Sequence, residues 1–296
     1  MTAKKKVVSF RKCNKTAVDF NIIYSITKIS WQILKKSVSL DELKKFFDEI
    51  NSKPKIYSHL QIILAVGIAC VGFCCLFGGN FFEIICTSIS AMAGKFAQIK
   101  LLKYKMNEFL AIDLAAFVAT SFAYLLHPTS VMPMVVCSLF LIPGVPIVNA
   151  VVDMLNKFFL KALTEFFRAF LIIVSMTAGI AFSVEIFFQI YNINFRDFIL
   201  LETTPDANIF ILALAAAICA IGFAIPLNTP KKFLYIVGIL GASTIFTRKF
   251  FDVSLPYGID IMQIIFSIVL GVNLPKLIAN KFFEKRYEKK LKKFMA

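Results

Sequence analysis

The segment SLFLIPGVPIVNAVVDML, residues 138–155, combines helix-breaking residues with polar side chains inside an apolar stretch. Pro143 and Pro146 each remove a backbone donor and restrict the residue before them, so a helix through this segment should break or kink. Gly144 between them permits unusual dihedral angles or a close approach by another group. Carbonyl groups freed by a break must be satisfied by protein, water or a ligand. The segment therefore predicts a discontinuous helix with a polar centre.

Two polar side chains follow this break at helical spacing. Asn149 and Asp153 are four residues apart, which places them on one face of the restarting helix. A carboxylate inside a membrane is costly unless it has a partner or a function, and the N-terminal end of a helix favours an anion. We interpret the segment as a substrate or ion site along a broken helix. A structural kink, with Asp153 as an interfacial charge near Lys157, is the alternative.

Further polar residues near the ends of apolar runs extend the candidate site. Asp113 lies nearly two turns inside such a run, whereas Asn107 at its start could cap the helix. Arg168 follows Glu165 by three residues, and these two could pair. The sequence predicts no catalytic residue, metal site or cofactor, because its two histidines are isolated and hydrolase, P-loop and dinucleotide motifs are missing. The predicted substrate-binding residues are Pro143, Gly144, Pro146, Asn149, Asp153, Asp113, Arg168 and Asn107.

The composition places these residues in a membrane protein. Of the 296 residues 58% are hydrophobic and 33 are Phe, which is more apolar surface than a soluble chain of this length can bury. Apolar runs of roughly 18 to 20 residues recur, long enough to cross a bilayer. Because these runs are continuous, they argue against a β-barrel. The predicted fold class is all-α, a polytopic integral membrane protein surrounded by lipid.

Eight transmembrane helices are predicted, and the charges orient them. Residues 1–55 carry 13 Lys and Arg against 5 Asp and Glu, and residues 276–296 carry 8 against 2. By the positive-inside rule both termini should be cytoplasmic, in a cell inner membrane, with Lys95, Lys100, Lys103 and Lys105 marking a cytoplasmic loop. Arg248 and Lys249 are an exception, and no nucleic-acid partner is expected. The predicted spans are roughly 58–78, 81–99, 107–126, 130–155, 165–190, 208–227, 232–247 and 260–279.

The chain should divide along these spans. Before Pro54, two amphipathic helices are expected to lie on the membrane surface or pack against the spans. The predicted parts are a cytoplasmic helical segment at 1–57, a first five-helix membrane module at 58–192, an external loop at 193–207, a partial second module at 208–279 and a basic cytoplasmic tail at 280–296.

An internal repeat links the two modules. AVGIACVGFCCLFGGN and AAAICAIGFAIPLNTP align without gaps at an offset of 150. Since the second copy begins five spans after the first, it would cross the membrane in the opposite direction, as in the inverted repeats of many secondary transporters. Chance similarity between apolar stretches is the alternative. The second module has no counterpart of the Pro-Gly segment. The matched pairs are Ala65/Ala215, Ile68/Ile218, Gly72/Gly222 and Phe73/Phe223.

Three segments resemble the threonine/serine exporter family, which includes two-component relatives associated with succinate export. They are ITKISWQILKKSVSLDELKKFFDEI, GFCCLFGGN and LFLIPGVPIVNAVVDML, and the last contains a PGVP-x3-N-x3-D signature. The resemblance covers roughly residues 15–190, and IGFAIPLNTPKKFLYIVGILGAS resembles the second module more weakly. It implies a shortened member that exports threonine/serine or a dicarboxylate, coupled to the proton gradient.

Two function classes follow from these patterns. In the first, a secondary exporter, Asn149 hydrogen-bonds the substrate, Asp153 binds a cation or proton, and Asp113 or Arg168 completes the site. In the second, a non-catalytic membrane subunit scaffolds or completes a two-component transporter, with another subunit or a homo-oligomer supplying the missing half. A passive channel is a further alternative, and the missing motifs disfavour an intramembrane enzyme.

Overall fold

The computed structural model describes residues 18–33, 40–52, 54–128, 130–191 and 208–254. All regular secondary structure in these ranges is helical, which confirms the predicted all-α class. Short 3₁₀ turns lie at Leu139–Leu141 and Lys231–Phe233. The helices are α1 (Phe20–Ile33), α2 (Leu40–Ser52), α3 (His59–Leu76), α4 (Phe81–Lys103), α5 (Glu108–Leu126), α6 (Val131–Val136), α7 (Gly144–Leu155), α8 (Phe159–Tyr191), α9 (Ile209–Ala224) and α10 (Leu234–Ser254).

Three helices, α3, α5 and α8, are each long and apolar enough to cross a membrane. The bent pair α6 and α7 passes the same test when taken together, which gives up to four spans in the described part of the chain. The α4 helix falls short because Glu83 and Lys95 lower its hydropathy, and α9 has only 16 residues where about 20 are needed. The predicted spans 81–99, 208–227 and 232–247 are thus helical without passing this test. The predicted span 260–279 lies outside the described residues.

The α3 and α9 helices pack closely at two glycines. A Cβ added at Gly72 would lie 2.6 Å from the Ala215 carbonyl oxygen and 2.9 Å from Cys219 Cβ. A Cβ added at Gly222 would lie 2.7 Å from the Ala65 carbonyl oxygen. Small residues let helix backbones approach in this way, which is typical of helix packing in membranes, where lipid removes the hydrophobic drive between helices.

These contacts are reciprocal: residues that correspond to each other at the repeat offset of 150 make equivalent contacts. Gly72 meets Ala215, and its counterpart Gly222 meets Ala65. The counterparts Phe73 and Phe223 meet each other edge to face, with ring centroids 5.4 Å apart. Residues late in α3 thus contact residues early in α9, so the two helices run antiparallel. Such reciprocity is expected of two segments related by a local two-fold axis, while the inverted repeat of whole modules stays a prediction.

We expect Gly72→Val to lower the free energy of unfolding by about 1–3 kcal/mol, because its side chain would meet backbone atoms of α9 that cannot rotate away. Gly222→Val should cost a similar amount. The double variant should cost less than the sum, since either change alone already separates the same two helices. Thermal unfolding of the detergent-solubilised protein measures all three. Ile68→Val, at an exposed position of α3, is the control. If the two glycine substitutions lowered the free energy of unfolding by strictly additive amounts, this would contradict the view that both act at one helix crossing.

The α1 helix packs against the turn between α9 and α10 through Asn228. The Asp19 carboxylate caps α1 by accepting from Asn21 N–H at 2.9 Å, and its other oxygen accepts from Asn228 Nδ2 at 2.8 Å. Asn228 Oδ1 accepts from the Ile56 N–H at 3.0 Å, so one amide joins α1 to the segment that leads into α3. Asn228 has a φ of 56°, a left-handed conformation that Asn tolerates.

Lys232, in the same turn between α9 and α10, contacts the exposed side of α1. The Lys232 ammonium donates a hydrogen bond to the Tyr24 hydroxyl, and this contact lowers the pKa of Tyr24. The α1 helix therefore packs against the bundle, which is one of the two placements predicted for the N-terminal helices.

The α5 and α8 helices run parallel to each other. The broken pair α6 and α7, which lies between them in the sequence, brings the chain back to the end of the bundle where α5 begins. The Ser121 and Ser183 hydroxyls are 3.0 Å apart, and further along both helices the Tyr124 and Phe187 rings stack with centroids 4.8 Å apart. The α6 helix packs against α3, α4 and α5. The break is therefore held among helices from the first module.

Candidate functional site at the broken helix

The predicted interruption is observed between α6 and α7, whose axes differ by 55°. After the 3₁₀ turn, Gly144 N–H donates to the Ile142 carbonyl at 2.9 Å. This bond closes an inverse γ-turn on Pro143, which has φ −78° and ψ 59°. Pro146 falls in the first turn of α7, where its missing N–H costs no helical bond. The prediction of a break at these prolines is confirmed.

The break rests on buried residues of three neighbouring helices. Phe140, in the 3₁₀ turn, is buried, and its backbone lies against the Cys70 thiol of α3. Cys137 before the break and Cys219 of α9 lie close to the same thiol. A Cβ added at Gly94 of α4 would lie 3.3 Å from the Phe140 ring. The 3₁₀ turn before the prolines thus packs against α3 and α4.

Buried hydroxyl groups lie on the helices that pack against α6. Among the described residues, Ser90 Oγ on α4 and Tyr124 OH on α5 have no hydrogen-bond partner, whereas the Thr120 hydroxyl on α5 meets the Cys137 thiol beside the break. Because buried polar groups are nearly always hydrogen-bonded, the Ser90 and Tyr124 hydroxyls are polar functions available to water or to a ligand. The centre of the bundle is therefore more polar than the apolar sequences of its helices indicate.

Lys95 is a residue of this site that the sequence interpretation missed, because its charge was assigned to a cytoplasmic loop. The structure places it inside α4, partly buried, with Nζ 5.6 Å from the centroid of the Phe140 ring. Its ammonium donates to Gln98 Oε1 at 2.7 Å. The signal that could have found it is its place two turns before the end of α4, between apolar residues.

The two polar residues of α7 differ in exposure. Asn149 is exposed, whereas Asp153 is 7% exposed. The Lys161 ammonium of α8 lies 3.1 Å from either oxygen of the Asp153 carboxylate, while Lys157 has a φ of 64° in the intervening turn. The interfacial pair expected of Asp153 is therefore formed with Lys161 and not with Lys157. A Cβ added at Gly144 would meet nothing within 4 Å, so the start of α7 faces open space.

The other predicted site residues have contacts away from the break. Arg168 Nη2 of α8 pairs with the Glu108 carboxylate of α5 at 3.0 and 3.2 Å, instead of pairing with Glu165. Asn107 caps α5 by accepting from the Phe109 N–H at 3.0 Å, as one reading of the sequence expected.

Asp113 lies at the interface of α5 and α8. Its carbonyl oxygen would be 2.1 Å, and its Oδ1 2.9 Å, from a Cβ added at Gly179. Asp153 is nine residues beyond Gly144 along α7, about 14 Å at the helical rise. The structure therefore brings Lys95 to the 3₁₀ turn that precedes the prolines, and places Asp153, Asp113 and Arg168 in separate contacts along α8.

Residues 1–187 match the family model of the threonine/serine exporter, ThrE, and this range includes every candidate site residue. The "Probable succinate transporter subunit YjjP" of Klebsiella aerogenes is 24% identical over 180 residues, which cover 59% of this chain and 69% of that protein. The protein of the same name from Escherichia coli K12 is 25% identical over 188 residues, 61% of this chain and 72% of that protein. No solved structure gives a significant match.

Proposed function

The chain belongs to the threonine/serine exporter family, and we propose that it is a secondary exporter of a small polar metabolite, threonine/serine or a dicarboxylate, coupled to the proton gradient. The family and the membrane-length helices make it a transporter in the membrane. The observation that carries the proposal is the broken span of α6 and α7, because transporters of this kind bind substrate at discontinuous helices near the bilayer midplane.

The reciprocal contacts of α3 and α9 support an inverted repeat in this proposal. In inverted-repeat transporters the substrate lies at the interface of the two repeats. Here Cys137 beside the break and Cys219 of α9 both lie near the Cys70 thiol of α3. We propose that a substrate at the break would have access to α3 and α9, the two helices that carry the repeat.

The proposed roles follow the positions of the side chains. Pro143, Gly144 and Pro146 shape the break, and the exposed Asn149 hydrogen-bonds the substrate. Asp153 binds a proton or cation in exchange for Lys161, its partner in this structure. The basic residues near both termini support the proposal that these termini are cytoplasmic, and we propose a cell inner membrane as the location.

A second candidate function is that of one subunit in a two-component transporter. Two relatives are named transporter subunits, and the start of α7 faces open space at Gly144. In this form a second membrane subunit, or another copy of the chain, would supply the second break. If the second break comes from a separate subunit, the purified chain should be inactive until that subunit is added.

Transport by the purified chain in proteoliposomes tests the proposal. We expect efflux of at least one of serine, threonine and succinate, faster with an imposed pH gradient than without it. Activity of the chain alone would remove the need for a partner, and activity that appears only after a co-purifying membrane protein is added would establish the two-component form. Absence of transport under both conditions would contradict both functions.

Two substitutions on α7 test the site itself. Asn149→Ala and Asp153→Asn should each lower the initial transport rate by roughly tenfold or more, since each removes a side chain proposed to bind the substrate or the coupling ion. Asn156→Ala, which also removes an exposed amide of this region, is the matched control. Unchanged transport by both site variants at normal expression would show that α7 does not carry the substrate site.

A further inference from the structure

Lys95 is a charged residue inside a helix of the bundle. It lies eight residues before the end of α4, about 12 Å along the helix axis. Its neighbour Gly94 packs tightly against α5, where an added Cβ would lie 2.7 Å from Ala119 Cβ. The ammonium is therefore held where α4 and α5 meet the break, with the Phe140 ring 5.6 Å away.

The described structure gives this charge no counter-ion. Within the described ranges no carboxylate lies at ion-pair distance from Lys95 Nζ, and its hydrogen-bond partner is the neutral Gln98. The charge that acts on it most is a second cation, Lys55. A partly desolvated ammonium without an anion is costly, so a lysine held in this position needs an anionic partner.

We propose that Lys95 is the carboxylate-binding residue of the transport site, and that the substrate is a carboxylate anion without an ammonium group. This inference rests on the proposed exporter function and chooses between its two substrate classes. A charge-assisted hydrogen bond from Lys95 would supply the missing counter-charge beside the break. The cation–π contact with Phe140 holds the ammonium against the 3₁₀ turn that leads into Pro143.

The same surroundings disfavour a zwitterionic amino acid. Its ammonium group would add a third cation near Lys95 and Lys55, and the described residues place no carboxylate there to receive it. Selectivity of this kind comes as much from repulsion of the wrong ligand as from attraction of the right one. A dicarboxylate adds only negative charge beside Lys95 and so meets no such repulsion.

The test compares Lys95→Gln, Lys95→Met and Lys95→Arg in proteoliposomes containing the full chain, with succinate and threonine as substrates. Lys95→Gln should lower the succinate rate and the apparent succinate affinity by roughly 10- to 100-fold, the loss of one hydrogen bond to a charged group. Lys95→Arg should keep part of the activity because it keeps the charge. Lys100→Gln, at an exposed lysine of the same helix, should match the unsubstituted protein.

A binding measurement separates this inference from the proposed function. Succinate should raise the unfolding temperature of the detergent-solubilised protein, and Lys95→Gln and Lys95→Met should abolish that rise while unfolding cooperatively without ligand. If the unsubstituted protein transports neither substrate, the exporter function fails, and the temperature shift still tests Lys95. Lys95→Gln with unchanged succinate affinity, or with equal losses for threonine and succinate, would overturn the inference.

Discussion

Replacing Gly179 with Ala should lower the free energy of unfolding by about 3 kcal/mol, the upper end of the range for overpacking. The added Cβ would lie 2.1 Å from the Asp113 carbonyl oxygen and 2.9 Å from its Oδ1. Since a carbonyl inside a helix cannot rotate away, α5 and α8 would have to separate. That movement would disturb the stacking of Tyr124 on Phe187, whose rings belong to the buried core. Thermal unfolding and the yield of monodisperse protein in detergent measure the effect.

Ala178→Val is the matched control for this substitution. It adds a larger volume one residue earlier on α8, at an exposed position, so it should change stability by less than about 0.5 kcal/mol. Equal stability of Gly179→Ala and the unsubstituted protein would show that α5 and α8 do not approach at this glycine. Equal destabilisation by both variants would show that α8 tolerates no added volume on either face.

Local features of the site could be predicted from the sequence because their causes are local. Two prolines around Gly144 disrupt a helix wherever it lies, so the break was predictable within a few residues. Asn107 as a helix cap follows from one side chain and the amide two residues later. The reciprocal pair Gly72 and Gly222 appears in the sequence because a close helix crossing requires small residues at both positions.

Partners of the charged side chains could not be predicted in the same way. Arg168 pairs with Glu108, 60 residues away in the sequence, because α5 and α8 run parallel. These two helices are aligned only once the broken pair α6 and α7 has brought the chain back to the end of the bundle where α5 begins. Asp153 meets Lys161 because the turn holds Lys157 in a left-handed conformation. The charge of Lys95 resembled a loop marker, since hydropathy alone does not show which face of α4 packs against the break.

Removing the Lys161 ammonium alone should destabilise the protein more than removing both charges of its pair. The Asp153 side chain is 10% exposed and Lys161 is 68% exposed, so the lysine loses little when it is replaced, whereas the carboxylate loses its counter-charge in a buried place. Lys161→Gln should cost about 1–3 kcal/mol, the penalty for an unsatisfied buried polar group. The double variant Asp153→Asn/Lys161→Gln should recover most of that loss. Thermal unfolding of the two single variants and the double variant measures the coupling.

Transport by the same double variant distinguishes a structural pair from a coupling site. If the pair only fixes α7 against α8, restored stability should restore transport, because two neutral amides can hydrogen-bond in its place. If Asp153 carries the proton or cation, the double variant should be stable and yet transport at least about tenfold more slowly than the unsubstituted protein, with no response to an imposed pH gradient. We expect the second result, since a buried carboxylate whose partner is largely exposed to solvent can exchange that partner for a proton without unfolding the helix that carries it.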